Sequence, residues 1–251
     1  MRDTVTVTGM IVQSSPIKEY DRRVELLTKE LGRISAFARG ARRPNSALCA
    51  CTVLFTFGEF QLYEGRDSYT LTAGSIKNQF EGLAEDYDAL CYCSYFAEMA
   101  RYFTRENLEA AQELLLLYVT IRAVMAEKQS LPLIRLVYEL RLMQVEGEML
   151  ELFQCISCGN TSVHTVYLSA GGLVCDSCAG QDPKLKQISP IRLSGDALYT
   201  VQYILTADLE RLFAFQISEE VFQELSHFRK RYLNQYLPHR FSTLDFLEQS
   251  L

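Results

Sequence analysis

Two Cys-x-x-Cys pairs in the second half of the chain constrain its fold more than any other feature of the sequence. Sixteen residues separate the two pairs, which consist of Cys155, Cys158, Cys175 and Cys178. Four thiolates at this spacing are typical of a closed tetrahedral zinc site. Gly171 and Gly172 fall between the pairs, where they favour the turn of a short hairpin. The sequence therefore predicts a zinc ribbon over residues 153–180.

The predicted zinc is structural, because four protein ligands leave the metal no open position for water. The alternative is that the four cysteines are buried thiols or disulfides, although disulfides are rare outside secreted proteins. The sequence has no charged-then-apolar leader and no apolar run long enough to span a bilayer, so we expect a cytoplasmic protein. The remaining cysteines form two Cys-x-Cys pairs that are expected to be small buried hydrophobic residues, namely Cys49, Cys51, Cys91 and Cys93.

The distribution of charge along the chain differs from its net charge of -6. Residues 1–80 contain eleven Lys or Arg and eight Asp or Glu, whereas residues 81–251 contain fourteen and 23, respectively. A basic N-terminal region is thus joined to an acidic remainder. This asymmetry suggests an anionic ligand for the basic part.

The first eighty residues carry the pattern of short β-strands. Thr4–Thr8 alternates polar and apolar residues, as a half-buried strand does. Turn signals such as Gly32 separate four further runs, which are Val24–Leu27, Ile34–Ala38, Val53–Tyr63 and Tyr69–Ala73. Gly58 interrupts one of these runs as a bulge or bend. Five short strands predict a small closed barrel, either an OB-fold, which we favour, or an SH3-like barrel.

The connection after the third predicted strand, residues 39–46, is the best candidate for a nucleic-acid contact. It contains Arg39, Arg42 and Arg43 among glycine and other small residues that allow close backbone approach. Arginine offers a planar fork of donors that matches phosphate and can stack on a base. The connection between the first two strands adds further candidate DNA-binding cations, namely Lys18, Arg22 and Arg23. The alternative is an ordinary solvated basic loop.

Aromatic residues close to these cations in the sequence are candidate platforms for stacking bases. They are Tyr20, Phe37 and Tyr63. Each of them is equally compatible with a place in the barrel core.

From about Glu81 the apolar period becomes helical. The pattern predicts a helix over Tyr87–Phe103, a second that Asn107 caps and that runs to about Glu127, and a third with Pro132 in its first turn. After the ribbon, three more helices are predicted to start near Ser194, Ala207 and Ser218. The predicted fold is therefore α+β, with an N-terminal OB-fold β-barrel, an α-helical bundle and an inserted zinc ribbon with four cysteine ligands. The expected domains are residues 1–80, residues 81–152 with 181–251, and residues 153–180.

The last long predicted helix carries the basic patch of the acidic remainder. Its consecutive cations are Arg229, Lys230 and Arg231. We expect them to bind an acidic peptide tail of a partner protein. A solvated helix face is the alternative.

No catalytic motif is present in the sequence. It lacks a phosphate-binding loop with Lys and Ser or Thr, a His-Glu-x-x-His pair and a Gly-x-Ser-x-Gly elbow. These absences favour a binding protein over an enzyme. Two other classes remain open: a redox-regulated zinc chaperone, and a zinc-ribbon protein that binds the transcription machinery.

The order of these parts resembles that of the bacterial RecO family over essentially the full chain. The specific parts of the resemblance are the Arg39–Pro44 motif, the Gly65–Tyr69 approach to the last barrel strand and the insertion with four cysteines. The resemblance implies a DNA repair protein of the RecF pathway that mediates recombination. Such a protein binds single- and double-stranded DNA and anneals complementary strands.

The same resemblance implies partners, a location and a role for the metal. The partners are RecR, the acidic C-terminal tail of single-stranded DNA-binding protein and, indirectly, RecA, which the family helps to load. The implied location is the cytoplasm, at the nucleoid during repair. Some family members lack the cysteines, so one structural zinc per chain acts as a scaffold and takes no part in the chemistry.

Overall fold

The computed structural model describes residues 4–66 and 68–250. Asp67, within the Gly65–Tyr69 segment that contributes to the family resemblance, lies outside the described residues. Two compact units are present among the described residues, one within residues 4–128 together with 241–250 and the other of residues 129–240. The three predicted domains stay a prediction, because compact units do not show which segments fold independently.

Five strands close into a barrel at the start of the first unit. Four of the strand pairs are antiparallel, and one is parallel. They are β1 Thr4–Ile17, β2 Asp21–Thr28, β3 Gly32–Ala38, β4 Phe57–Glu64 and β5 Tyr69–Asn78. The strand order is β1-β2-β3-β5-β4, and β4 pairs back onto β1. This closed five-stranded barrel, followed by a helical region, confirms the predicted OB-fold class.

The barrel interior follows from the alternation of apolar residues along the strands. Val24 and Leu26 of β2, together with Ile34 and Ala36 of β3, point inward and are buried. Gly58 is required on β4, because a Cβ atom there would lie 2.2 Å from the carbonyl oxygen of Ser75. The strand register shifts at this glycine, so the predicted bulge is confirmed.

Eight α-helices, three short 3-10 helices and three further short strands make up the remaining regular structure of the described residues. The helices are α1 Leu48–Cys51, α2 Tyr87–Phe103, α3 Ala111–Ala126, α4 Leu131–Val145, α5 Asp176–Gln181, α6 Gly195–Thr206, α7 Glu219–Tyr236 and α8 Ser242–Ser250. The strands are β6 Thr165–Tyr167, β7 Gly172–Leu173 and β8 Ile191–Arg192, which form a small sheet in the order β7-β6-β8. None of the helices in these ranges is long and apolar enough to cross a membrane.

The helix predictions are confirmed where a local cap fixes the start of the helix. Helix α2 has the predicted bounds, and the side chains of Ser194 and Ser218 cap α6 and α7 by accepting from the backbone of Ala197 and Val221. The cap predicted at Asn107 is wrong. Asn107 has a left-handed φ of 64° and its backbone donates to the carbonyl of Leu31, so α3 begins only at Ala111.

A helix predicted over Ala207–Phe213 is also wrong. Only a single 3-10 turn, Leu209–Arg211, forms there. The chain becomes extended at Ala207, and the guanidinium of Arg141 donates to carbonyls at the end of α6, including that of Ala207 at 3.0 Å. Satisfied in this way, the end of α6 does not continue into another helix.

Helix α8 has no counterpart among the helices predicted from the sequence. It packs on α2 within the first unit through Phe241, whose ring meets those of Tyr95 and Tyr102 edge to face. The carboxylate of Glu98 on α2 accepts hydrogen bonds from the backbone and hydroxyl groups of Ser242 and Thr243. A carboxylate from another helix thus supplies the N-terminal cap of α8.

We predict that Glu98→Ala lowers the free energy of unfolding by about 1 kcal/mol at neutral pH, as the loss of a helix cap does. Burial raises the pKa of Glu98, but the hydrogen bonds from Thr243 and Ser242 outweigh it and lower the pKa overall. The stabilisation is therefore complete above the ordinary carboxyl pKa and is lost as the pH falls through the lower folded-state value. Urea unfolding of wild type and Glu98→Ala, from neutral pH down through the carboxyl pKa, measures this difference in stability. Glu85→Ala, at an exposed carboxylate, is the control, and equal stability of Glu98→Ala and wild type at pH 7 would contradict the assignment.

Candidate metal centre and nucleic-acid interface

The four paired cysteines converge in the second unit. Their sulfur atoms all lie within 4.8 Å of one another, and the sulfurs of Cys158 and Cys175 are 3.7 Å apart. A tetrahedral zinc site with Zn–S bonds of about 2.3 Å places its sulfurs about 3.8 Å apart. All four thiols are free, without a disulfide. The donor set and its spacing therefore fit a tetracoordinate metal ion.

Local backbone geometry brings the two pairs together. The first pair lies on a turn that ends at Gly159, which has a φ of 73° and donates from its backbone to the carbonyl of Cys155. Cys175 is the N-terminal cap residue of α5, and Cys178 lies in its first turn. The backbone of Cys175 donates to the sulfur of Cys155 at 3.4 Å, which links the pairs directly.

The thiol protons are shared unevenly within this cluster. A hydrogen bond with Ser177 is the main cause that lowers the pKa of Cys175 to about 6. The neighbouring Cys175 sulfur is the main cause that raises the pKa of Cys178 to about 12. Deprotonation is thus easiest at Cys175, and the protons that remain on the other thiols have to leave when a metal binds.

The arginine turn, defined as residues 39–46, lies against the β1–β2 turn at one end of the barrel. The backbone of Arg42 donates to the carbonyl of Tyr20 at 2.9 Å, and its guanidinium donates to the carbonyl of Lys18 at 3.4 Å. Gly40, with a φ of 67°, donates to the carboxylate of Asp21 at 2.7 Å. Two loops that are distant in sequence thereby form one surface.

The cations of this surface are exposed. They are Lys18, Arg39, Arg42 and Arg43. The guanidinium carbon of Arg43 lies 5.3 Å from the ring centre of Tyr20, which is itself 40% exposed. This is a cation–π contact that holds Arg43 against a tyrosine that remains partly accessible.

The two remaining candidate arginines lie in strand β2, not in the predicted connection before it, and differ from each other. Arg22 points toward the barrel end, where it donates to the hydroxyl of Ser14 and the carbonyl of Thr52, both at 3.1 Å. Arg23 is exposed, donates to Ser35 at 2.9 Å, and lies opposite Phe37 on the neighbouring strand. Arg22 therefore has a structural role in the fold, whereas Arg23 is available beside an aromatic ring that is 36% exposed.

The three cations predicted to bind an acidic tail differ in their contacts. The guanidinium of Arg229 donates to the carboxylate of Glu139 at 2.7 Å, and Arg231 donates to the carbonyl of Ser189 at 2.8 Å. Lys230 is exposed. Sequence reasoning did not foresee these contacts, because nothing in the sequence of α7 shows which side chain meets α4.

The buried carboxylate of Glu139 holds the side chain of Arg229 in an ion pair. The side chain of Glu139 is 0% exposed, and it receives one arginine on each carboxylate oxygen, Arg135 at 2.9 Å and Arg229 at 2.7 Å. A buried carboxylate is tolerated only when such partners compensate for its lost hydration. The pair therefore joins α4 to α7 inside the second unit.

Helix α7 also holds the segment that contains the cysteines. The hydroxyl of Tyr232 donates to the carbonyl of Glu148, and that of Tyr236 donates to the carbonyl of Leu168 at 2.6 Å. Together with the Arg231 contact, these hydrogen bonds attach the chain before, within and after the cysteine cluster to a single helix.

Comparisons with known proteins agree with this architecture. Residues 1–80 match the family model "Recombination protein O N terminal", and residues 84–245 match "Recombination protein O C terminal". The DNA repair protein RecO of Acetivibrio thermocellus is 30% identical over 244 residues, which cover 96% of this chain and 95% of that protein. The RecO proteins of Alkaliphilus metalliredigens and Symbiobacterium thermophilum are each 29% identical over 248 residues, covering 98% and 96% of this chain and 99% and 96% of those proteins.

The fold and the cysteine cluster define an OB-fold protein with a helical region and a site that can hold a metal ion. The matches to both family models and to relatives along nearly the whole chain identify the family within that class. The chain belongs to the RecO family of DNA repair and recombination proteins.

We predict that Arg229→Ala lowers the free energy of unfolding by about 3 kcal/mol, because it removes one of the arginines that pair with the buried Glu139. Chemical denaturation followed by circular dichroism measures this. Lys230→Ala, on the adjacent exposed residue, should change the stability by no more than about 0.5 kcal/mol. Equal effects of the two substitutions would show that the buried ion pair does not stabilise the unit.

Proposed function

We propose that this protein is a recombination mediator that binds single- and double-stranded DNA through the arginine turn of its barrel and anneals complementary strands. The observation that carries the proposal is the convergence of exposed cations from two loops on one end of an OB-fold barrel. Membership of a DNA repair family supports it, because nucleic acid is then the anion that such a surface meets.

The arginine turn is suited to phosphate for two reasons. Its guanidinium groups present forks of donors that match phosphate oxygens. The turn and its neighbour also carry four cations against two acidic residues, Glu19 and Asp21, and the carboxylate of Asp21 already accepts from Gly40. The local excess of positive charge displaces counterions from DNA, which supplies most of the binding free energy at low salt.

Exposed aromatic rings beside these cations provide stacking surfaces for bases. Tyr20 lies under Arg43, and Phe37 lies opposite Arg23 on the outer wall of the barrel. Base–aromatic stacking contributes about 1–3 kcal/mol per base without preference for sequence. A strand that is held by its phosphates and by occasional stacking keeps most base edges free to pair with a complementary strand.

Annealing on such a surface needs no covalent step, so the role that we propose is binding and not catalysis. Neutralisation of phosphates by the arginine turn reduces the repulsion between two strands. The same contacts are independent of sequence, as a protein that pairs any complementary strands requires.

The metal that we propose for the cysteine cluster is zinc. Four thiolates in tetrahedral arrangement are the donor set that structural zinc sites use. The ion would be held by Cys155, Cys158, Cys175 and Cys178. It would neutralise the thiolates and fix the two turns that carry them, while the DNA-binding residues lie in the other unit.

The family resemblance extends the proposal to partners. These are RecR, the acidic C-terminal tail of single-stranded DNA-binding protein and, indirectly, RecA, in the cytoplasm at the nucleoid. Among the cations on α7, Lys230 is the one whose exposed charge an acidic tail can reach without breaking the Glu139 pair. Charge reversal at Lys230 therefore tests tail binding more cleanly than substitution of Arg229.

We predict that the double substitution Arg42→Ala with Arg43→Ala weakens binding to single-stranded DNA and flattens its salt dependence. Loss of two phosphate contacts should reduce the slope of log affinity against log salt by about 1.4, or 0.7 per contact. Fluorescence anisotropy with a labelled oligonucleotide across a salt series measures both quantities.

The matched control removes two exposed cations outside the barrel, Arg122→Ala with Lys128→Ala. It lowers the total charge equally and should leave the slope unchanged. An equal loss of affinity in both double variants would refute the placement of the DNA site at the arginine turn.

We predict one zinc ion per chain in freshly purified, reduced protein, measured by elemental mass spectrometry. The double substitution Cys155→Ser with Cys175→Ser should abolish zinc binding, because it removes one ligand from each pair. It should also destabilise the second unit, since structural zinc contributes on the order of 10–16 kcal/mol in small modules. Cys49→Ser should retain the metal; the prediction that Cys49 is buried is wrong, because this cysteine of the barrel unit is exposed. Wild-type protein without zinc would remove the assignment.

A further inference from the structure

An open pocket of about 370 Å³ lies in the second unit, between α6 and the segment that leads into the first turn of α7. Aromatic rings from both sides form its walls. Tyr203 and Phe215 meet edge to face with ring centres 5.4 Å apart, and the hydroxyl of Tyr203 donates to the carbonyl of Arg211 at 2.6 Å. These contacts fix two of the rings in place.

The third ring of the pocket is unusually accessible. Tyr199 is 70% exposed, more than any other large hydrophobic side chain in the described part of the chain. Its neighbours in the pocket include Ile217 and Val221, which are partly buried. A partner side chain can enter a pocket of this size and pack its apolar atoms against the exposed ring of Tyr199.

Acidic residues lie in the pocket and in the segments that flank it. Residues 194–224 contain six Asp or Glu and a single basic residue, Arg211. Asp196 lines the pocket, and Glu219 and Glu220 follow directly after its lining residue Ser218. The Ser218 hydroxyl is the main cause that lowers the pKa of Glu220, so this carboxylate is charged at neutral pH.

The positive ends of nearby helices do not make the net charge of the pocket positive. Helices α6 and α7 both begin near it, and each contributes about half a positive charge. The hydroxyls of Ser194 and Ser218 already cap these ends, and Asp196, Glu219 and Glu220 lie in the first turns. Three carboxylates against two half-charges leave a net negative site.

Aromatic walls with carboxylates nearby are the arrangement that recognises organic cations. The ring faces attract a guanidinium or ammonium group electrostatically, and the apolar stem of the side chain covers the hydrophobic floor. A phosphate or an acidic peptide would instead be repelled by these carboxylates. We propose that this pocket binds the arginine or lysine side chain of a basic segment in a partner protein.

The test uses a short fluorescein-labelled peptide with arginine between two leucines, and a matched peptide in which neutral citrulline replaces the arginine. Fluorescence anisotropy of the full chain should show tighter binding of the arginine peptide. Tyr199→Ala should weaken that binding about fivefold, the equivalent of a cation–π contribution of about 1 kcal/mol. Tyr199→Phe keeps the ring and should bind as wild type does.

Charge variants separate the pocket from the general acidity of the protein. Glu219→Gln with Glu220→Gln should weaken binding of the arginine peptide severalfold. Glu109→Gln with Glu127→Gln removes the same charge at exposed positions of the first unit and should have no effect. Equal binding of the two peptides, unchanged binding by Tyr199→Ala, or equal losses in both charge variants would each overturn the proposal. Because Tyr199 is mostly exposed, its substitution tests binding without loss of folding.

Discussion

A short parallel pairing between β3 and β5 is the contact on which the barrel and its proposed DNA surface depend. Only two residue pairs form it, Ala36 with Tyr69 and Phe37 with Thr70. Without it the sheet would remain open between these strands. Since the arginine turn follows Ala38 directly, the same pairing fixes the point from which that turn departs. Closure of the barrel therefore determines where the proposed phosphate-binding groups lie.

Local signals in the sequence were sufficient for most elements of the fold. Alternation of apolar residues predicted the strands, Ser194 and Ser218 marked helix starts, and the cysteine spacing predicted the cluster. The failures involve contacts between distant segments. Asn107 is a good helix cap by type, yet a hydrogen bond to Leu31 holds it in a left-handed turn. Helix α8 depends on Glu98, more than 140 residues earlier in the chain.

The direction of charged side chains was harder to predict than the backbone, because it depends on tertiary partners. Sequence reasoning treated Arg22 and Arg229 as ligand-binding cations, and the structure gives both of them internal acceptors. Arg42 and Arg43 keep their side chains exposed, although the guanidinium of Arg42 also donates to the carbonyl of Lys18 and that of Arg43 lies over the ring of Tyr20. Backbone hydrogen bonds hold much of their turn, so these side chains remain accessible to a ligand.

Screening of charge explains how an acidic chain can carry the proposed site for DNA. At physiological ionic strength the Debye length is about 8 Å, so exposed charges further apart than this are largely screened. A net charge of -6 therefore says little about the field at the arginine turn, where nearby cations outnumber acids. The same reasoning applies to the pocket at Tyr199, where the nearby carboxylates make the local electrostatic potential negative. Two surfaces of opposite charge on one chain can thus select different partners, because each ligand responds to the groups within one screening length.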